Sequence, residues 1–292
     1  MKSYAYYPGC AAEASTREAD RATREVLHHM GVPIHLVEDF ACCGAGCLSE
    51  EFPRFNAALN ARNMAIAERE ESDILTLCDT CLLSFRKSQI DLKEPDLRGE
   101  VNEELKKFGL EYKGEARVIH FLHLLSELGP GKIRSMVTRP LKGVRIAPFY
   151  GCQIVRPHHV LGADSAEEPR ILEELIEALG GIPLPYRERL DCCGFHILLV
   201  DEKASLSMAS QCLEGAKKIQ ADVMVTPCTL CHISLDMYQG KAGRLAGKNY
   251  DIPILHLAQL VGLALGIDPR KLQLHRHFVP AKRLLSRIEG SR

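Results

Sequence analysis

The chain has 292 residues, enough for two domains of ordinary size, with 46% hydrophobic and 26% charged residues and a formal net charge of −1. That balance gives no bulk attraction to polyanions, and the absence of Trp with only 6% aromatics leaves little to stack on bases, so no nucleic-acid partner is expected. The opening MKSYAYYPGC lacks the apolar core of an export signal and no apolar run reaches the roughly 18 residues of a membrane span, so a cytoplasmic protein with reduced thiols is expected.

Ser3–Tyr7 is a short apolar run that stops before Cys10 and reads as a strand. A helix should follow, announced by a Ser15-x-x-Glu18 capping box, carrying Ala19, Ala22, Val26, Leu27 and Met30 on one face and ending at Gly31. Next come the pair Cys42-Cys43, then a strand at Ile74–Leu77 leading into Cys78-x-x-Cys81. Residues 91–117 are charged and predict one helical stretch, Val101–Phe108. The apolar segment opened by His120 leads to a link at 127–141, where Gly129-Pro130-Gly131 and Pro140 should break regular structure.

The plan then repeats. Val144–Tyr150 is a strand before Cys152, and a helix with Ile171, Leu172, Leu175, Ile176 and Leu179 ends at Gly180-Gly181. Cys192-Cys193 follows, then a strand at Asp222–Thr226, Cys228-x-x-Cys231 and an apolar segment opened by His256. Cys42, Cys43, Cys78 and Cys81 recur 150 residues later as Cys192, Cys193, Cys228 and Cys231, while Cys10 recurs 142 residues later as Cys152. Phe195–Val200 and Leu257–Leu265 read as core elements.

Alternation of strand and helix predicts an α/β fold of two pseudo-symmetric domains, residues 1–138 and 139–292, each with a small, mainly parallel sheet flanked by helices. Residues just past the strand C-termini gather at one sheet edge, so each domain should collect its cysteines there, and the two edges could face each other across a cleft. The basic tail from Arg270 sets seven Arg/Lys against one acid, with Leu272, Leu274, Phe278, Leu284, Leu285 and Ile288 interleaved, and could dock a partner protein or touch a membrane surface.

Thiolates without histidine or carboxylate at fixed spacing select zinc or an iron–sulfur centre. Zinc needs four ligands, which Cys-Cys plus Cys-x-x-Cys would supply, so zinc in one site is the alternative. Each repeat offers five sulfurs, which leaves either an unusual cluster or one thiol kept for chemistry. Cys47 follows the first pair without a counterpart, since position 197 is Ile. Cys212 sits among Leu206, Ala209, Leu213 and Ala216 and reads as core. His158, His159, His196 and His232 crowd the second repeat. His196, on the Cys-Cys-Gly-Phe-His loop, is the first candidate to protonate a leaving thiolate.

With gaps of 31 and 34 residues in the first copy and 39 and 34 in the second, each half resembles the cysteine-rich CCG domain. A pair of such domains at this length is similar to the B subunit of heterodisulfide reductases and their bacterial relatives. The resemblance implies two noncubane [4Fe–4S] clusters, one on Cys10, Cys42, Cys43, Cys78 and Cys81 and one on Cys152, Cys192, Cys193, Cys228 and Cys231. It implies an oxidoreductase component that reduces or forms a small disulfide or persulfide in two one-electron steps. It also implies two partners in the same complex, a ferredoxin-like iron–sulfur protein (its C subunit) and a flavin-containing protein (its A subunit), because this chain has neither a GxGxxG fingerprint nor a ferredoxin motif of its own. The second function class is an electron-transfer or anchor subunit of a succinate-, fumarate- or quinone-linked complex.

Overall fold

The computed structural model describes residues 3–162 and 164–290, apart from the side chain of Cys47, so the expectation for that residue lies outside the described side chains. The first half forms a four-stranded sheet from β1 (Tyr4–Tyr7), β2 (Ile34–Leu36), β3 (Asp73–Thr76) and β4 (Val118–His120), ordered β2-β1-β3-β4. The second half repeats it with β5 (Arg145–Pro148), β6 (Ile182–Pro183), β7 (Val223–Thr226) and β8 (Ile254–His256), ordered β6-β5-β7-β8. All pairings are parallel, with Tyr6 opposite Leu75 in one sheet and Ile146 opposite Val223 in the other. Parallel strands need helical crossovers that cover both faces, which is why the central strands read as continuous apolar runs. Ala5, Ile74, Leu75, Ile146, Met224 and Val225 are fully buried.

The α/β expectation therefore holds, and the edge strands β2 and β6, too short to register as apolar runs, complete each sheet. The chain leaves β1 toward one side and returns to β3 on the other, so the C-terminal ends of β1 and β3, and of β5 and β7, are switch points where a crevice opens. His120 and His256 have a definite task here. Each ends a strand and caps the next helix, His120 Nδ1 accepting from Leu122 N–H at 3.0 Å and His256 Nδ1 from Ala258 N–H at 3.3 Å. Burial lowers the pKa of both rings, keeping them neutral and able to accept.

Four local expectations need correction. The Ser15-x-x-Glu18 box does not form: the helix spans Arg17–His29 behind Thr16, whose hydroxyl donates back to the Ala11 carbonyl, and Glu18 turns instead to His232, 3.4 Å away. The link is helical, because Pro130 occupies the first turn of a helix, Pro130–Met136, where its missing N–H costs nothing. The helix expected over 101–108 begins earlier, at Pro95, and ends at Lys106. Phe195–Val200 is not core: Phe195–Ile197 is a single 3₁₀ turn, and Leu199 and Val200 are 97% and 88% exposed. Leu257–Ala264 is the buried helix its composition suggested.

The apolar residues of the tail serve the protein's own core. Leu272, Leu274, Leu284 and Ile288 are buried and Leu285 packs against them, while Phe278 stays exposed. Among the described residues no helix is long and apolar enough to cross a membrane.

Candidate functional site

Each cysteine of the repeat lies just past the C-terminal end of a strand. Cys10 opens the short helix Cys10–Ala14 after β1, and Cys42-Cys43 sits in the loop after β2. Cys78 caps the helix Asp79–Asp91 after β3, with Cys81 in its first turn. In the second half Cys152 follows β5, Cys192-Cys193 follows β6, and Cys228 caps the helix Thr229–His232 with Cys231 inside it. The sequence thus delivers three strand ends, hence five sulfurs, to one spot in each half.

The sulfurs converge without bonding. Cys43 Sγ is 3.4 Å from Cys81 Sγ, and Cys42 Sγ is 3.8 Å from Cys10 Sγ, and all ten thiols are free. These separations are far beyond a disulfide bond of about 2.05 Å. They are close to the roughly 3.8 Å edge of a tetrahedron whose metal–sulfur bonds are about 2.3 Å. Cys152, Cys192, Cys193, Cys228 and Cys231 all line one small pocket, so the second group is gathered in the same way.

Backbone and side chains around both groups repeat at the offset of 150. Gly44 N–H donates to Cys42 Sγ at 3.5 Å and Gly194 N–H to Cys192 Sγ at 3.4 Å. The N–H groups of Cys78 and Cys228 point to Thr76 Oγ1 and Thr226 Oγ1 at 3.4 and 3.3 Å. Ser84 donates to the Cys43 carbonyl at 2.8 Å, and Ser234 to the Cys193 carbonyl at 2.7 Å. Gly9 and Gly151, at φ +78° and +68°, run so close to the sulfurs that an added Cβ would lie 3.0 Å from Cys81 Sγ and 2.8 Å from Cys231 Sγ. Both glycines are therefore required twice, by conformation and by space.

Hydrogen bonding from Cys10 lowers the pKa of Cys42, and hydrogen bonding from Cys152 lowers that of Cys192, while the same bonds raise Cys10 and Cys152. The pattern is that of acidic thiol groups crowded together, in which full ionisation needs a counter-charge. A five-sulfur pocket with donors aimed at sulfur, and no room for another side chain, suits a metal–sulfur centre.

The two groups face one another. Asp79 and Thr80, which follow Cys78 in the first half, line the same small pocket as Cys193, Cys228 and Cys231 of the second. Thr80 Oγ1 donates to Gln153 Oε1 at 2.5 Å, and His196 Nε2 lies 3.4 Å from Thr80 Oγ1 and 3.3 Å from Gln153 Oε1. His256 Nε2 reaches the carbonyls of Pro227 at 2.9 Å and Leu77 at 3.3 Å, one from each half. A cleft of about 790 Å³ opens here, lined by Cys152, Cys192, Thr80, Gln153, His196 and Phe195 among others.

His196 is thus placed at the mouth of the cleft, with partial desolvation lowering its pKa. His158 and His159 lie exposed on the turn His158–Leu161, and His232 is buried beside Glu18. Cys212 is fully buried, its Sγ 3.8 Å from the Cys192 carbonyl, as its helical neighbours suggested. Sequence reasoning missed Thr80, Gln153 and Asp79. Asp79 is buried against His120, 3.3 Å away, and burial raises its pKa strongly. The sequence signal they carried was position, next to a cysteine of the repeat.

A family model for the cysteine-rich CCG domain matches residues 4–86 and 146–236, one match per half. The chain is 35% identical to the 8-methylmenaquinol:fumarate reductase membrane anchor subunit of Wolinella succinogenes, over 97% of this chain and 99% of that one. It is 32% identical to the B subunit of the ferredoxin/F420H2-dependent CoB-CoM heterodisulfide reductase of Methanosarcina acetivorans, over 99% of this chain and 97% of that one. A hypothetical protein from Helicobacter pylori has the same fold, with a TM-score of 0.79 at 15% identity over 96% of this chain, which spans about half (52%) of that longer molecule. With both halves matched and whole-length relatives above 30% identity, the chain belongs to the CCG cysteine-rich domain family that includes the B subunits of heterodisulfide reductases.

Proposed function

We propose that the chain is the iron–sulfur subunit of a heterodisulfide reductase-like complex, breaking or forming a disulfide in the cleft between its two cysteine groups. The observation that carries this reading is a second five-thiol group whose Cys152 and Cys192 line a cleft shared with the first half, which is joined to it there by Thr80 against Gln153. In this reading Cys10, Cys42, Cys43, Cys78 and Cys81 hold one noncubane [4Fe–4S] cluster, and Cys152, Cys192, Cys193, Cys228 and Cys231 hold the other. The halves divide at residues 138 and 139. When bound, such clusters supply one-electron steps and an iron that accepts sulfur, and two of them match the two electrons of disulfide cleavage.

The chain's own residues do the rest. The cleft volume is that of a small-molecule site, and Phe195 forms part of its wall beside Cys152 and Cys192. Thr80 and Gln153 span the halves and fix the imidazole of His196, which gives a proton to a leaving thiolate or takes one in the reverse direction. A ferredoxin-like iron–sulfur protein and a flavin-bearing protein, the C and A subunits of such a complex, would deliver the electrons.

EPR of the anaerobic protein titrated with candidate disulfides, the CoB-CoM heterodisulfide among them, tests the proposal. A substrate-dependent paramagnetic signal is expected. Zinc without iron or sulfide in the purified protein would sink it.

The second reading is an electron-transfer or anchoring subunit of a quinol- or fumarate-linked complex, favoured by the 35% identity to the fumarate reductase anchor subunit. Its attachment surface would be the exposed Leu199 and Val200 and the basic tail from 270. Replacing both residues with Ser should release the protein from the membrane fraction. Unchanged partitioning together with disulfide-dependent EPR favours the first reading.

A further inference from the structure

The helix that carries Cys231 continues into one π turn, Ile233–Met237, which lends Ile233 and Met237 to the cleft wall and meets the C-terminal segment through Asp236. Such turns are often found at functional sites. Here the wider turn sets His232 and Asp236 beside His277. One donor atom from each of the three lies within 4.8 Å of the others, and all three residues are buried. His232, Asp236 and His277 are 1%, 3% and 8% exposed.

Both ring nitrogens of His232, and both of His277, are without a hydrogen-bond partner. Leaving a buried polar atom unpaired costs about 1–3 kcal/mol, so two adjacent imidazoles without partners are unusual in a packed interior. The rings meet edge to face at 5.1 Å, and His277 Nδ1 is 3.5 Å from Asp236 Oδ2 with no hydrogen bond formed. That edge is near the roughly 3.3 Å separation of two ligands on zinc with bonds of about 2.0–2.1 Å.

The carboxylate is held in place, since Asp236 accepts the N–H groups of Val279 at 3.0 Å and Phe278 at 2.9 Å. Glu18, from the first half, lies 3.4 Å from His232 Nε2, and its other oxygen is 3.4 Å from Arg276 Nε. A carboxylate on the second nitrogen of a ligating histidine is the usual outer partner that fixes ring orientation.

We propose that His232, Asp236 and His277 form a divalent-metal site, with zinc as the ion and Glu18 as the outer partner of His232. Two imidazoles and a carboxylate are a nitrogen–oxygen set that zinc accepts, with the fourth position left to water. The site clamps the tail segment 276–279 and the first-half helix Arg17–His29 onto the turn that follows Cys231. The inference does not depend on what the cysteines hold, because its ligands contain no sulfur.

The test is metal analysis of the anaerobically purified full-length chain, after incubation with one equivalent of zinc chloride and gel filtration, with zinc K-edge absorption on the same sample. About one zinc per chain is expected, with a nitrogen–oxygen shell showing imidazole scattering and no sulfur. His277→Gln should lower retained zinc at least about tenfold while iron stays constant. No retained zinc, or a sulfur shell, overturns the proposal from the unmodified protein alone. Retention of zinc by the folded variant overturns it too.

Discussion

The two cysteine groups are built alike and surrounded differently. Cys10 and Cys42 of the first are exposed, whereas Cys152 and Cys192 of the second are partly covered. The coverage comes from side chains that break the repeat: His196 answers Gly46, Gln153 answers Ala11 and Thr80 answers Leu230. The His196 ring lies against its own counterpart position, since a Cβ on Gly46 would be 3.8 Å from its Nδ1. Duplication set the sulfurs, and divergence at the shared face placed a polar trio on the second group. A symmetric pair could bind two like groups, but an asymmetric one can tell the two ends of a substrate apart.

The largest expected effect concerns the sulfurs themselves. Cys193→Ser should remove about half of the iron and one of two spectral components, and Cys43→Ser the other half, because each group is complete within its own half. Simultaneous loss of both components in either variant would mean that the groups are not independent.

Next comes the polar trio. His196→Ala should lower turnover about 100-fold with iron content unchanged, within the range for loss of a general acid or base. Introducing histidine at Gly46 should not restore it, since that position has φ +89°, a backbone conformation that L side chains rarely adopt. Equal activity of His196→Ala and the parent would remove the residue from the mechanism.

The glycine cradles should differ modestly. Gly151→Ala meets Cys231 Sγ at 2.8 Å and Gly9→Ala meets Cys81 Sγ at 3.0 Å, both with left-handed backbone strain of roughly 1–3 kcal/mol. On the proposed two-cluster reading, the Gly151→Ala variant should lose iron to a chelator before the Gly9→Ala variant does.

The smallest effect concerns the carbonyls behind the pairs. Cys43 O receives Asn56, Asn60 and Ser84, whereas the hydrogen bond found at Cys193 O comes from Ser234. Ser84→Ala leaves two donors behind and should cost a few tenths of a kcal/mol to about 1 kcal/mol, while Ser234→Ala should cost about 1–3 kcal/mol. Denaturant midpoints of the two variants compare them directly, and equal shifts would contradict the difference.

The sequence by itself determined the repeat, the parallel α/β class and the identity of the ten sulfurs, because cysteine spacing and apolar runs are local properties that survive in one dimension. The core role of Cys212 was legible for the same reason, as part of a helical face. Tertiary structure decided what sits between the groups. Thr80, Gln153 and His196 come from three separate segments and acquire a shared purpose only when the two halves pack.

It also decided the fate of Glu18, whose spacing from Ser15 fits a cap but whose carboxylate finds His232 instead, more than 200 residues away in the chain. The tail shows the same limit. Its apolar pattern could serve a membrane or a core, and only packing of Leu272, Leu284 and Ile288 against the second half assigns it to the core. Local pattern fixes which residues can form an element, but the choice among partners is made by burial, and burial is a property of the folded whole.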